Sequence, residues 1–259
     1  MKRILIIVAL IAGCASGPKS DMSTTDVPVG QQPTSTDERV RAKAHADLGL
    51  LYFQNGQVNI ALEEARLAIV SDPSYALGYN LSALIHMFLG DDAIAQTMFD
   101  KAVSLAPNDP EINNNYGWFL CQAGREQEGI KRLDIAARHR LATAPTRSFF
   151  NAGLCSLRLK NEQAAEEYFR RAVFADSTNA AAIYQLANLA YGRGSLGDAR
   201  RYLSEFHRLI DPTAESVWLG LRIERKMGDR NAEASYASQL RRKFQDSPEY
   251  QAFVQGKFE

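Results

Sequence analysis

The chain lacks a surplus of either charge: thirty lysines and arginines stand against thirty aspartates and glutamates. A general nucleic-acid or anionic-membrane binder needs a basic excess, so that class is set aside. A specific protein partner is not. Long apolar runs are also missing. The run from Ile4 to Ile11 has eight residues, whereas a membrane-spanning helix takes about 20. Histidine is scarce: His45, His86, His139 and His207 lie far apart, with no HExxH or comparable ligand pair. No GxSxG or Walker loop occurs. Gly192-Arg193-Gly194-Ser195-Leu196-Gly197 matches GxGxxG literally, but a dinucleotide site needs that loop after a parallel strand. Here it follows the helical stretch Ala180–Tyr191. Aspartates and glutamates are scattered over solvent-facing helix positions rather than paired for acid–base work. These absences point away from catalysis, a metal or a cofactor, and no stretch reads as a strand.

What is present is a period. Between Ala42 and Pro73, small residues stand at Gly49, Gly56, Ala61 and Ala68, with Leu48, Tyr52 and Leu62 beside them. Two antiparallel helices that cross closely need glycine or alanine at the crossing, and proline then ends the second helix. The spacing resembles a tetratricopeptide repeat, a helix–turn–helix unit of 34 residues. Adding 34 to Gly49, Gly56, Ala61, Ala68 and Pro73 lands on Ala83, Gly90, Ala95, Ala102 and Pro107. A third unit has Gly117, Gly124, Gly129 and Ala136, with Leu141 in place of the proline. The fourth is displaced by two residues around Pro145 and reads Gly153, Ala165, Phe169 and Ala172. A fifth has Ala187, Gly194, Ala199 and Leu203, and a degenerate sixth has Leu221, Gly228 and Ala237. The expectation is an all-α superhelix of six repeats over residues 37–259. A short capping helix, Glu249–Gln255, should cover the stacking face that the last repeat would otherwise expose. His45 and His86 fall where a repeat places packing aromatics.

Residues 1–13 read as a leader: Lys2 and Arg3, then the apolar run. Ile11-Ala12-Gly13-Cys14 resembles a bacterial lipobox, which implies cleavage before Cys14 and acylation of its thiol and freed amine. An ordinary signal peptide with an incidental cysteine is the alternative. Several acyl chains anchor stably where one does not. Ala15 stands where lipoproteins kept in the inner membrane commonly have aspartate, so the periplasmic face of the outer membrane is expected. Residues 14–36 are rich in Gly, Pro, Ser, Thr, Asp and Gln, a composition that reads as a flexible tether. Its root-mean-square reach would be roughly 25 Å.

Cys121 and Cys155 lie on the first helices of the third and fourth units, which pack side by side. An oxidising periplasm permits a disulfide there, and two buried free thiols are the alternative.

The stretches Asn114-Asn115-Tyr116-Gly117-Trp118-Phe119-Leu120-Cys121, Phe150-Asn151-Ala152-Gly153-Leu154-Cys155 and Ala165-Glu166-Glu167-Tyr168-Phe169 complete a wider resemblance. With the lipobox, tether and six repeats, the chain resembles the PilF/PilW lipoproteins of type IV pilus biogenesis over essentially its whole length. The resemblance implies a pilotin role: carrying the PilQ secretin to the outer membrane, or helping its subunits assemble.

The repeat register assigns a groove to first-helix residues. Repeat one supplies Lys43, Ala46, Leu50, Phe53 and Gln54, and repeat two Leu77, Asn80, Leu84, Met87 and Phe88. Repeat five offers Tyr184, Asn188 and Tyr191, and repeat six Trp218, Arg222, Arg225 and Lys226. The groove should therefore begin apolar and end basic. Leu50, Phe53, Leu84, Met87 and Phe88 are the candidate partner-binding residues, suited to an amphipathic helix or an extended apolar segment. The same residues could instead pack on the preceding repeat or the tether. Two functions follow: a monomeric, lipid-anchored carrier for PilQ-type secretin subunits, or a general periplasmic scaffold for envelope assembly or peptidoglycan enzymes.

Overall fold

A computed structural model describes residues 27–32, 36–140 and 145–258. The leader, Cys14 and Leu141 lie outside the described residues. Thirteen α-helices and one 3-10 turn account for the regular structure among them, with no strand. The helices pair as hairpins: α1 (Asp37–Gln54) with α2 (Val58–Ser71), α3 (Ala76–Leu89) with α4 (Asp92–Leu105), and α5 (Pro110–Gln122) with α6 (Glu126–Arg138). The second half repeats the plan with α7 (Pro145–Arg158) and α8 (Glu162–Ala175), α9 (Ala180–Gly192) and α10 (Leu196–Leu209), and α11 (Ala214–Met227) and α12 (Arg230–Lys243). The last helix is α13 (Pro248–Val254).

Hairpins close on small residues. Ala61, Ala65, Ala95, Ala165 and Ala199 are completely buried at the crossings. Between α5 and α6 the approach is tightest: a Cβ on Gly129 would sit 2.6 Å from the Gly117 carbonyl oxygen and 2.7 Å from Cys121 Sγ. Gly153 leaves room for the Phe169 ring and Gly220 for Tyr236 in the same way. Each turn within a hairpin is made by a left-handed residue. Glycine fills it at Gly56, Gly90, Gly124, Gly194 and Gly228, and Lys160, at φ 57°, fills it in repeat four. The Gly192–Gly197 stretch is simply the fifth such turn, between two helices.

Local capping agrees with the pairing. Asp109 caps α5 just ahead of Pro110, Asn161 caps α8 and Asn179 caps α9. Thr213 and Ser216 form a reciprocal capping box on α11. At the far end α13 and the residues after it bring Tyr250, Phe253 and Phe258 against the Trp218 side of α11, which closes the stack as a capping helix should.

Three expectations need correction. The segment 14–36 is not a free tether throughout, because Val27–Gln32 is folded onto the array. Val29 is buried among Ala42, Ala46, Tyr75, Ala76 and Ile112 in a 3-10 turn, Val29–Gln31. Its N–H donates to the Asp109 carboxylate at 2.7 Å. One small apolar anchor and one charge-assisted bond suffice where composition alone suggested neither. His45 and His86 are more than packing aromatics: each ring is also hydrogen-bonded to a carboxylate, Glu64 at 2.7 Å and Asp91 at 3.1 Å respectively. Nor are all acids solvated. Glu224 is buried and held by Arg200, whose Nε donates at 2.9 Å.

Candidate functional site

First helices neighbour one another along the array, α1 beside α3, α3 beside α5, α5 beside α7 and α9 beside α11. One place on each is decisive. Leu50, Leu84, Trp118, Leu154, Asn188 and Arg222 occupy the same register position in the six repeats, and all six are half-buried. Stacking therefore holds these side chains at a water-facing groove, neither core nor free surface.

At its beginning the groove is apolar. Leu50 and Phe53 pack against buried Ala61, Ala65, Leu81 and Ile85, and Leu84 and Met87 against Phe99, Tyr116 and Phe119. Phe53 and Phe88 meet edge to face with centroids 5.6 Å apart, yet Phe88 remains 67% exposed. The five candidate residues thus form one ridge and its adjoining cleft. That cleft is lined by Ala46, Leu50, Leu77, Leu81 and Leu84, with Asn80, Asp47 and Glu111 supplying the polar groups. Leu77 is shared, since the folded segment 27–32 also packs on α3 there. Asp47 and Glu111 were missed by a reading that followed apolar residues. Burial, then Asp109 and Asp47, push the Glu111 carboxyl above the ordinary range, against the opposing charges of Arg147 and Lys43. An apolar ridge rimmed by carboxylates suits an amphipathic segment carrying basic groups.

The middle is a row of amides. Asn115 donates to Asn80 at 3.3 Å, Asn114 to Asn115 at 3.1 Å, and Ser148 and Asn151 both donate to Asn114. This row joins α3, α5 and α7 and was not foreseen, although the Asn114-Asn115 doublet on a first helix was its visible signal. Behind it Cys121 and Cys155 are fully buried, their Cα atoms 5.7 Å apart and their sulfurs in contact. That separation lies within the disulfide range.

At its end the groove is aromatic and cationic. Tyr184 and Tyr191 on α9 face α11, where the Arg222 guanidinium lies 4.9 Å from the Tyr191 centroid and Lys226 Nζ 4.4 Å from the same ring. Among the described residues no cluster of three or more His, Cys, Asp or Glu is arranged to hold a metal ion, and no helix is long and apolar enough to cross a membrane. The arrangement offers surfaces for binding a protein segment, graded from apolar to cationic.

Comparison with known proteins agrees with this architecture. Tetratricopeptide-repeat models match residues 76–109, 98–131 and 127–180. The type IV pilus assembly protein PilF of Pseudomonas aeruginosa is 32% identical over 225 residues, covering 86% of this chain and 89% of that protein. An uncharacterised protein of Haemophilus influenzae is 26% identical over 130 residues, 49% of this chain and 72% of its own length. Among solved structures, Pseudomonas aeruginosa PilF superposes with a TM-score of 0.78 at 30% identity, over 85% of this chain and all of that one. PilW, described as a widely conserved type IV pilus biogenesis factor, gives 0.74 at 30% identity, over 82% and 98%.

Proposed function

The chain belongs to the PilF/PilW family of type IV pilus biogenesis proteins, and from that premise we propose that it is a pilotin. In this reading acyl chains on Cys14 moor it to the periplasmic face of the outer membrane. The groove of repeats one and two receives a segment of a PilQ-type secretin subunit and promotes its localisation and multimerisation. The protein acts as a monomer and contributes binding rather than chemistry, as a repeat scaffold does. Cys121 and Cys155 form a disulfide that staples repeats three and four beside the working groove.

The observation that carries the proposal is the apolar ridge. Leu50, Phe53, Leu84, Met87 and Phe88 come together at one end of the groove, and Phe88 is left mostly in water although it lies against Phe53. An exposed aromatic seated on a second aromatic has the make-up of an anchor site for a partner helix or extended segment.

Two variants test the two halves separately. Changing Leu50, Phe53, Leu84 and Phe88 to glutamine, with the helical circular dichroism unchanged, should abolish capture of secretin from detergent extracts. Cys14→Ala should leave secretin in the inner membrane or unassembled. Normal secretin rings in both variants would refute the pilotin reading. Recovery of peptidoglycan hydrolases or barrel-assembly factors in place of secretin would replace it with a general envelope scaffold.

A further inference from the structure

The cationic end of the groove sets two cations, Arg222 and Lys226, against one ring, Tyr191. Many arginines of the array stand against carboxylates, such as Arg39 against Asp72, Arg66 against Glu63, Arg125 against Glu128, Arg158 against Glu126 and Arg200 against Glu224, while Arg171 and Arg241 lie over aromatic rings without one. In a chain with as many acids as bases, such pairing is the expected pattern. Arg225 follows it, donating to Glu233 at 3.0 Å while its guanidinium lies 3.8 Å from the Phe258 centroid. Arg222 and Lys226 do not. Among the described residues neither has a carboxylate within ion-pair distance, and both are held instead over aromatic rings: Arg222 over Tyr191 and Trp218, Lys226 over Tyr191.

A second observation concerns the same guanidinium. Arg222 Nε is shut off from water and has no hydrogen-bond acceptor. Buried donors are nearly always partnered, and a guanidinium N–H left without an acceptor is a costly exception. Glu215 and Glu249 are close enough to raise the Tyr184 phenol, after burial, and Arg222 opposes them. Neither closes on Arg222. The fork of an arginine is shaped to take a carboxylate through two parallel bonds.

We propose that repeats five and six form a second docking site, for an acidic peptide segment of a protein partner. Arg222 and Lys226 take carboxylates, while the half-buried Tyr191 packs against the stems that carry them. Spacing favours an extended chain. Two residues four apart on a helix are separated by about 6 Å along the axis, and alternate side chains of an extended peptide by about 7 Å. Phosphate is the poorer occupant: Arg222 and Lys226 lie in the C-terminal half of α11, away from the helix N-terminus that favours dense negative charge. The site is separate from the apolar ridge of Leu50 and Phe88, so either can hold without the other.

The test uses the full chain purified in detergent and a fluorescein-labelled dodecapeptide of alternating aspartate and alanine. Its controls are the asparagine–alanine peptide, inorganic phosphate and phosphatidylglycerol vesicles. Anisotropy should show the aspartate peptide bound about tenfold or more tightly than the asparagine peptide, and weakened as salt rises from about 50 to about 300 mM. Arg222→Met, which keeps the stem over Tyr191, and Lys226→Met should each weaken binding about tenfold. Leu50→Gln with Phe88→Gln should leave it unchanged. Melting curves establish that every variant is folded. Equal binding of both peptides, wild-type binding by the methionine variants, or no peptide binding while phosphate or vesicles bind would each overturn the proposal.

Discussion

Asp109→Asn is the sharpest probe of the folded amino-terminal segment. One carboxylate serves two purposes here. Oδ1 accepts the N–H groups of Glu111 and Ile112, each at 3.0 Å, which caps α5, while Oδ2 accepts Val29 N–H at 2.7 Å. Asparagine has one oxygen to offer. If it stays on α5, the amide nitrogen faces the Val29 N–H, donor against donor. If the amide rotates, the clash moves to the cap. A hydrogen bond to a charged acceptor contributes about 1.5–3 kcal/mol, and burial of a valine side chain about the same. The cap itself is worth about 1 kcal/mol. Losing only the bond to Val29 therefore speeds local opening of residues 27–32 by about tenfold to a hundredfold, with a small change in global stability. Asp109→Ala should add the loss of the cap. Amide hydrogen exchange reads both: Val29 should lose protection in Asp109→Asn, and Ile112 as well in Asp109→Ala. Wild-type protection at both Val29 and Ile112 in Asp109→Asn would refute the shared-carboxylate account.

Three more outcomes are expected. Gly129→Ala should destabilise by about 1–3 kcal/mol or more, since its Cβ meets the Gly117 backbone oxygen at 2.6 Å; Gly197→Ala, with nothing within 4 Å, should be neutral or slightly stabilising, and chemical denaturation compares the two. Opening the bridge we propose between Cys121 and Cys155, which are 34 residues apart, should cost up to about 4 kcal/mol by chain entropy, read as a lower denaturant midpoint with reductant; equal midpoints would mean that the thiols are free. Burial lowers the His207 pKa, and its Nε2 lies 2.9 Å from Ser216 Oγ. The unfolded chain then binds the proton first, so the stability His207 contributes is complete above the unfolded value near 6.5 and is lost as pH falls through the lowered folded value. Melting temperatures of His207→Gln should show a shallower acid decline than wild type.

How much of this could be read from residues alone depended on whether the information was periodic. The turn glycines at 56, 90, 124, 194 and 228 and the crossing alanines placed twelve helices, because each repeat must solve the same steric problem. Repeat four, where Lys160 takes the left-handed turn, showed that glycine lowers the cost of that conformation without being required for it. The groove residues were legible for the same reason, as register decides which side of a first helix faces inward. What escaped notice was aperiodic. Val29 reaching Asp109 spans 80 positions, and the amide row across α3, α5 and α7 depends on side-chain directions. The burial of Glu224 depends on Arg200, 24 positions away. No spacing rule marks such pairs.

The column Leu50, Leu84, Trp118, Leu154, Asn188 and Arg222 explains how one scaffold can carry two kinds of docking chemistry. Its members share the same partial burial, so what they contribute to stacking is limited to contact by their stems. The core obligations fall on neighbouring places such as Gly49, Gly117 and Gly153, where any added volume meets the second helix, and on the fully buried Ala83. A position excused from the core is free to change from leucine to tryptophan to arginine without breaking the superhelix. That freedom is why the groove moves from an apolar ridge, through hydrogen-bonding amides, to guanidinium stacked on tyrosine, while the helices beneath keep one geometry. It also sets a direction. An extended ligand that fits the groove must be apolar where it meets repeats one and two and acidic where it meets repeats five and six. The same ligand reversed would bring its acidic end to Asp47 and Glu111, whose carboxyls already crowd each other, and leave Arg222 and Lys226 without a carboxylate.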